Sequence, residues 1–224
     1  MVTGEEGGSR QASAIGFLNP VYLTLVPDAV RQNVTALWGL DRRLGELSRV
    51  RSGSEPMLAR IRLQYWREEL PKQNPATRDP VLAAIAAMAP PPDDAALIAL
   101  VDAWDGLVAA EVFDAAAANR FAEARGEALF GLSAVAMGAG NFSDVLALGA
   151  IWALCDLGLH CSDQAVARHC LAEASKRWRA PRAATTPRAL VALAAVSAMV
   201  AKNDAARRPL RERALVLRVG LTGR

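Results

Sequence analysis

Two groups of side chains have types and spacings that could bind a metal ion. Asp102 and Asp105 form a D-x-x-D pair, and residues three apart lie on the same face of a helix. Asp156, His160 and Asp163 follow at intervals of four and three and could converge in the same way. For the D-x-x-D pair we favour a solvated acidic face, because exposed Asp is ordinary on amphipathic helices. Asp163 is also typical of an N-cap, which would interrupt the second face.

Both histidines precede a cysteine, in the dipeptides His160-Cys161 and His169-Cys170. Nine residues amount to about two and a half helical turns, so the two pairs would face opposite ways on one helix. Structural zinc sites space their ligands more closely, so we interpret these residues as partly buried side chains. With Cys155 the thiols number three, and an odd number without an export signal predicts reduced cysteines.

Six large aromatic side chains could line an isoprenoid cavity or stabilise a cation, although core packing is the favoured interpretation. They are Trp38, Tyr65, Trp66, Trp104, Trp152 and Trp178. No Ser/His/Asp or Cys/His triad is recognisable, and no phosphate-loop pattern surrounds the glycines. The basic C-terminal segment lacks aromatic interleaving and any helix-turn-helix or zinc-finger signature. We therefore expect no nucleic-acid partner.

Composition predicts that helices position these side chains. Hydrophobic residues make up 52% of the 224 residues and aromatic residues 5%, so the apolar content is mostly Ala, Leu and Val. Ala and Leu are strong helix formers, and no segment alternates with period two. We predict an all-α, single-domain bundle of about eight to ten helices over residues 18–224. A disordered Gly- and Ser-rich lead over residues 1–17 is expected to precede it.

Helical periodicity and capping residues set the expected limits of each helix. The predicted segments are Val21–Leu40 with a kink at Pro27 and a continuation over Asp41–Val50, Met57–Leu70, Val81–Met88, Ala95–Val112, Asp114–Met137, Ser143–Leu159, Gln164–Arg177, Pro187–Lys202 and Pro209–Val219. Ser54 and either Asp93 or Asp94 are expected N-caps. The run from Gly138 to Asn141 is typical of a C-cap followed by a turn.

The net charge of +3 conceals a strong segregation along the chain. Residues 79–164, the acidic block, have 12 acidic and 2 basic groups, a net charge of −10. Residues 165–224, the basic block, have 13 basic and 3 acidic groups, a net charge of +10. We favour internal pairing of the two blocks, and the alternative is an anionic partner such as a lipid surface or a diphosphate. The arginines expected to stay exposed are Arg207, Arg208, Arg211 and Arg213.

No window has the roughly 18–20 uncharged apolar residues of a transmembrane helix. Val145–Leu159 comes closest and is interrupted by Asp156. Glu5 and Glu6 stand where a signal peptide would have basic residues. We expect a cytoplasmic protein that is either soluble or peripherally attached to a membrane.

The segment from Pro27 to Leu70 resembles the opening of the squalene and phytoene synthase family. Arg31, Ala36-Leu37-Trp38 and Arg42 follow the order of that family's N-terminal Arg and its "ALYAF-x-R" helix. Arg62–Leu70 then follows the family's "R-x-x-W-W-x-x-x-L" segment.

A second stretch, "FAEARGEALFGLSAVAMGAG", resembles the family's "AG-x-x-G" helix around Gly126 and Phe130-Gly131. The following "GAIWALCDLG" is similar to its "G-x-A-x-Q-L-x-N" helix. The resemblance covers about residues 20–175, and the basic C-terminal segment from about residue 176 diverges from it. It implies a helical isoprenoid-synthase fold with a central apolar cavity, in which Mg²⁺ held by carboxylates of two facing helices ionises an isoprenyl diphosphate.

The first aspartate-rich motif of the family falls on Gly45, Glu46 and Arg49. Only Glu46 keeps a carboxylate, and Arg49 reverses the charge of a metal ligand. Arg42 matches the Arg that lies near diphosphate in the family. The first motif therefore lacks two of the carboxylates that the resemblance implies as metal ligands.

The second motif falls on Ala153, Asp156, His160 and Gln164. Asp156 keeps a carboxylate, whereas Mg²⁺ binds imidazole and neutral amide groups poorly. The nearest aromatic to a family Tyr is Phe121, which has no hydroxyl. The resemblance is thus to a motif-degenerate branch of the family, which includes an assembly factor of mitochondrial respiratory complex I.

These residues predict a catalytically degenerate squalene/phytoene synthase-like protein that acts in binding or assembly. The alternative is an active Mg²⁺-dependent prenyltransferase of isoprenoid biosynthesis, in which Arg42, Glu46 and Asp156 bind the isoprenyl diphosphate and Glu46 and Asp156 hold Mg²⁺. A further alternative is a peripheral protein whose basic C-terminal segment contacts an anionic membrane or a protein partner.

Overall fold

The structure is a computed structural model that describes residues 19–48, 56–139, 143–181, 185–203 and 209–223. Within these ranges the chain is all-helical and forms no strand, as the sequence predicts. The helices described are Pro20–Leu23 (α1), Arg31–Ser48 (α2), Pro56–Glu69 (α3), Pro80–Ala86 (α4), Asp94–Ala109 (α5), Ala115–Ala136 (α6), Ser143–His160 (α7), Gln164–Arg177 (α8), Arg188–Lys202 (α9) and Pro209–Thr222 (α10). Short 3-10 turns cover Asp28–Val30 and Leu70–Lys72.

Apart from the first helix, the predicted limits agree with the observed ones to within three residues. The largest differences are at α5, which ends at Ala109 and not at Val112, and at α10, which extends to Thr222 and not to Val219. The chain does not form a helix kinked at Pro27, because α1 ends at Leu23 and α2 begins at Arg31. Proline has no N–H to donate and disfavours helical backbone at the residue before it. The turn is held instead by Arg31, whose guanidinium donates to the carbonyl oxygens of Leu23 and Val26, each at 3.1 Å.

Aspartate side chains begin several helices. Asp93, not Asp94, caps α5 by accepting from an N–H in its first turn, and Asp114 does the same for α6. Asp163 caps α8, where it accepts from the N–H groups of residues 165 and 166. Gly138 adopts a φ of +75° after α6, as a C-cap requires. The other predicted cap and turn residues, Ser54, Gly140 and Asn141, lie outside the described residues.

Helix α7 lies at the centre of the packing and contacts α6, α8 and α9. Its closest approach is to α6, at Gly126 and Gly149. A Cβ atom on Gly126 would lie 2.3 Å from the backbone carbonyl of Gly149, which is far inside van der Waals contact. Both positions therefore require glycine. The pairing holds α6 and α7 at a fixed short separation.

By length and composition, α7 is the one described helix that could cross a membrane, with a mean hydropathy of 1.3 over Ser143–His160. The sequence predicts no candidate here, because Asp156 interrupts the apolar run. Core helices of globular domains pass the same test, and α7 is packed between other helices of this chain. Its apolar character is accounted for by that packing.

The acidic and basic blocks pair only in part. Arg177 of the basic block donates to Glu123 of the acidic block at 2.7 Å and also contacts Glu173 within its own block. Arg211 and Arg213 are exposed, as predicted, whereas Arg207 and Arg208 lie outside the described residues. The exposure of Arg211 and Arg213 agrees with the sequence analysis, and internal pairing of most of the basic block stays a prediction.

Candidate functional site

A buried arginine on α6 connects two other helices through their carboxylates. Arg125 donates from Nε and Nη2 to the two oxygens of Asp41 on α2, at 2.8 and 2.7 Å. It donates from Nη1 to Oδ2 of Asp156 on α7, at 2.7 Å. The Asp41 contact is bidentate, the strongest geometry for an arginine and a carboxylate. We call Arg125, Asp41 and Asp156 the buried ionic cluster.

The surrounding side chains complete the hydrogen bonding of the cluster. The indole N–H of Trp104 on α5 donates to Oδ1 of Asp41 at 2.9 Å. His160 lies one turn after Asp156, with Nδ1 at 3.5 Å from its Oδ1 and at 2.7 Å from its backbone oxygen. Four helices therefore contribute to one polar site inside an otherwise apolar core.

Three aromatic rings lie within 6 Å of the guanidinium. The central carbon of Arg125 lies 4.7 Å from the ring centroid of Trp104, 4.5 Å from that of Trp152 and 5.8 Å from that of Phe121. A cation so enclosed gains about 0.5–2 kcal/mol per favourable ring. Trp152 also packs against Trp38 at 4.7 Å between centroids, so the ionic cluster is continuous with the aromatic core.

The cluster is shielded from solvent, and its arginine stays charged. The side chains of Arg125 and Asp41 are 7% and 5% exposed, and that of Asp156 is 16% exposed. Burial on its own would lower the pKa of Arg125, but the charges of Asp41 and Asp156 and their hydrogen bonds raise it above its ordinary value. A guanidinium with a raised pKa does not release its proton near neutral pH. The cluster can therefore orient helices, but Arg125 cannot act as a general acid.

The three residues predicted to bind diphosphate and metal have different surroundings. Arg42 and Glu46 lie on the exposed side of α2, with side chains 69% and 46% exposed, and they approach each other to 3.9 Å. Glu46 also contacts Arg43 at 3.7 Å. Asp156 is instead in the core, bound to Arg125. Arg42 and Glu46 thus pair with each other at the surface and not with Asp156.

The eroded positions of the first motif also have structural consequences. A Cβ atom on Gly45 would lie 3.0 Å from the ring of Trp104, so the missing side chain makes room for that indole. Trp104 in turn hydrogen-bonds Asp41 and covers Arg125. Arg49 lies outside the described residues. The ring of Trp104 thus occupies the space in which the resemblance implies a carboxylate side chain at position 45.

The other acidic pair found in the sequence bridges two helices at the surface. Asp105 accepts from Arg60 at 3.0 Å, and Asp102 pairs with Arg67, so α5 is joined to α3. A groove of about 670 Å³ follows this contact, lined by both helices. The D-x-x-D pair is therefore neither simply solvated nor set around a vacant metal position.

The histidine and cysteine dipeptides are not gathered into one site. His160 contacts Asp156, whereas His169 contacts Asn119 at 3.2 Å. Burial, and then the neighbouring Cys161, raise the pKa of Cys170 to about 11, so its thiol is protonated at neutral pH. Within the described residues, no group of three or more His, Cys, Asp or Glu side chains could hold a metal ion. Asp163, which caps α8, is not available to extend the Asp156 face.

Sequence reasoning missed Asp41 and Arg125, although a signal for both exists. Asp41 lies on the stripe that buries Val34, Leu37 and Leu44 in α2. Arg125 lies on the equivalent stripe of α6 and is one of only two basic residues in the acidic block. A charged residue on an apolar helical stripe requires a buried partner of opposite charge. Two opposite charges on two such stripes therefore indicate a pair.

Comparison of the chain with protein-family models, curated proteins and solved structures gives no match.

Proposed function

We propose that this chain is a squalene/phytoene synthase-like helical protein that lacks prenyl transfer and serves as a binding or assembly scaffold. The proposal joins the resemblance of residues 20–175 to the partners of the few motif residues that remain. Its strongest support is that Asp156, the one carboxylate at the positions of the second motif, is bound by Arg125 of the same chain.

In the chemistry implied by the resemblance, carboxylates on two facing helices hold Mg²⁺, and the metal neutralises a departing diphosphate. In this chain Asp41 and Asp156 come from two such helices and hold a guanidinium between them. The guanidinium of Arg125 would thereby balance the charge of two facing carboxylates in place of a metal ion. Unlike a metal ion, it belongs to the chain itself. The helices would then stay together without a metal.

The donor set also fits Mg²⁺ poorly. The oxygens of Asp41 accept from Arg125 and Trp104, and Mg²⁺ needs near-octahedral oxygen ligands. Glu46 is the remaining carboxylate of the first motif and is engaged by Arg42 and Arg43 at the surface.

The proposal is tested by incubating the purified protein with Mg²⁺ and radiolabelled farnesyl or geranylgeranyl diphosphate and extracting the products. We expect no squalene, phytoene or cyclopropyl intermediate above the level of a boiled control. Product formation that is lost in Glu46→Gln would establish the active Mg²⁺-dependent prenyltransferase instead.

Binding without chemistry is measured separately through thermal stability. A ligand that binds only the native state stabilises it, by about 2.7 kcal/mol when the ligand concentration is a hundred times Kd. The melting temperature rises as a result. If the scaffold retains the diphosphate contact, an isoprenyl diphosphate raises the melting temperature, and Arg42→Ala removes the shift. Arg62→Ala, an exposed arginine on α3, is the matched control and leaves the shift in place.

A further inference from the structure

Helix α10 has one face in the core and an apolar face in solvent. Val216 and Val219 are buried, with 4% and 1% of their surface exposed. On the opposite side Leu210, Leu217 and Leu221 are 81%, 67% and 80% exposed. Three leucines with so little cover on one helix form an apolar patch and not a scatter of single residues.

The spacing of these leucines places them in one line. Residues 210, 214, 217 and 221 are separated by four, three and four positions, which is the repeat of a single helical face. Position 214 is Ala, so the line continues without a polar interruption. Over Pro209–Thr222 the helix is about 21 Å long at 1.5 Å per residue. We call the line of Leu210, Ala214, Leu217 and Leu221 the leucine stripe.

Positive charge borders the stripe on both sides. Arg211, Arg213 and Arg218 are all exposed, and helical geometry places Arg213 on one side and the other two on the opposite side. The helix has one acidic residue, Glu212, which is 7% exposed and points toward the core. The exposed charge of α10 is therefore of one sign.

We propose that α10 docks this protein on an anionic phospholipid surface, with the leucine stripe inserted among the acyl chains and the arginines at the phosphates. An apolar face flanked by basic residues is the pattern of helices that lie in the plane of a membrane interface. The aliphatic part of an arginine side chain can span from the acyl chains to the headgroups. The leucines can therefore contact the acyl chains while the arginines contact the phosphates. The net charge of +10 over residues 165–224 adds to the attraction.

The single sign of the charge favours lipid over a second copy of the chain. In a two-fold dimer through the leucine stripe, the arginines beside the stripe would lie close to the same arginines of the second copy. The described α10 has no exposed carboxylate to offset the repulsion. A membrane with anionic headgroups meets both features at once. The docking does not depend on whether the chain has lost prenyl transfer.

The test is co-sedimentation of the full-length protein with vesicles of phosphatidylcholine alone or with about one-third phosphatidylserine, across a salt series. We expect binding to the anionic vesicles that weakens steeply with salt, since charges are screened over about 8 Å at physiological ionic strength. Arg211→Gln, Arg213→Gln and Arg218→Gln each reduce the partition coefficient by about five-fold at low salt. The triple variant Leu210→Ser, Leu217→Ser, Leu221→Ser reduces it by at least about ten-fold.

A matched control makes the same change at exposed apolar residues elsewhere. Met57→Ser with Ile61→Ser on α3, where the side chains are 67% and 59% exposed, leaves vesicle binding unchanged. Melting curves of each variant verify that it is folded. Absence of binding to anionic vesicles, or binding that the stripe variant retains, overturns the proposal. So does a concentration-dependent dimer that is lost in the stripe variant, because the stripe would then belong to a second copy.

Discussion

Two of the sites where arginine–aspartate pairs join helices within the described residues differ in solvent exposure. At the surface, Arg60 and Arg67 of α3 contact Asp105 and Asp102 of α5, with exposed fractions between 22% and 54%. In the core, Arg125 binds Asp41 and Asp156 with side chains 5–16% exposed. The chemical groups are the same in both places.

Burial decides what such a pair contributes. Exposed pairs exchange contacts with water for contacts with each other, and they add about 0–1 kcal/mol. A buried pair has already lost its hydration, so removal of one partner leaves a charge with no compensation and costs about 3–5 kcal/mol. The surface pairs are therefore dispensable, whereas the buried ionic cluster fixes the relative positions of α2, α6 and α7.

The largest expected effect is that of Arg125→Ala. It leaves Asp41 and Asp156 facing each other in the core, and it should lower the free energy of unfolding by about 3–5 kcal/mol. Chemical denaturation followed by circular dichroism measures the change. Arg120→Ala, an exposed arginine on the same helix, is the matched control and should change it by less than about 0.5 kcal/mol.

A triple variant separates charge compensation from packing. With Asp41→Leu, Arg125→Met and Asp156→Leu together, no buried charge remains, and such replacements are often neutral or stabilising. We expect the triple variant to be more stable than Arg125→Ala. A triple variant as unstable as the single one would mean that the cluster acts through its shape and not through its charge balance.

The next effect concerns the helix contact that supports the cluster. Gly126→Ala would force the backbones of α6 and α7 apart, because its Cβ would lie 2.3 Å from the carbonyl of Gly149. Overpacking of this kind costs about 1–3 kcal/mol. The same substitution at Gly131, where the nearest atom is 3.9 Å away, should leave stability unchanged or slightly increased. Thermal denaturation of the two variants compares them, and equal losses would disprove the close contact.

The smallest effect is at the surface. A double-mutant cycle with Arg67→Ala and Asp102→Ala should give a coupling energy of about 0.2–1 kcal/mol that decreases with added salt. A coupling of several kcal/mol, insensitive to salt, would remove the distinction between the two regions.

Much of the fold could be predicted from local sequence signals. The limits of α8 follow from Asp163 as its N-cap and from Lys176 and Arg177 in its last turn, because these signals act within one turn. The break at Pro27 was underestimated, since the side chain that stabilises it, Arg31, acts across the turn. Local patterns do not include contacts of that kind.

The site was harder to predict because its members come from separate helices. Asp156 was identified through the resemblance, but its partner was not, and the resemblance directed attention to Arg42 and Glu46 at the surface. Asp41 and Arg125 are 84 residues apart, and only tertiary packing brings them together. A charged residue on the apolar stripe of α2 or α6 indicates that it has a buried partner of opposite charge. It does not indicate which residue that partner is.

The central claim of the proposed function is that Asp156, to which the resemblance assigns a metal, is bound by Arg125 together with Asp41. The most direct test is a crystal structure of the protein with Mg²⁺ and a non-reactive thio analogue of farnesyl diphosphate. We predict that Arg125 keeps its hydrogen bonds to Asp41 and Asp156 and that no Mg²⁺ is ligated by Asp156. A Mg²⁺ ion bound to Asp156 with the guanidinium withdrawn would contradict the proposal.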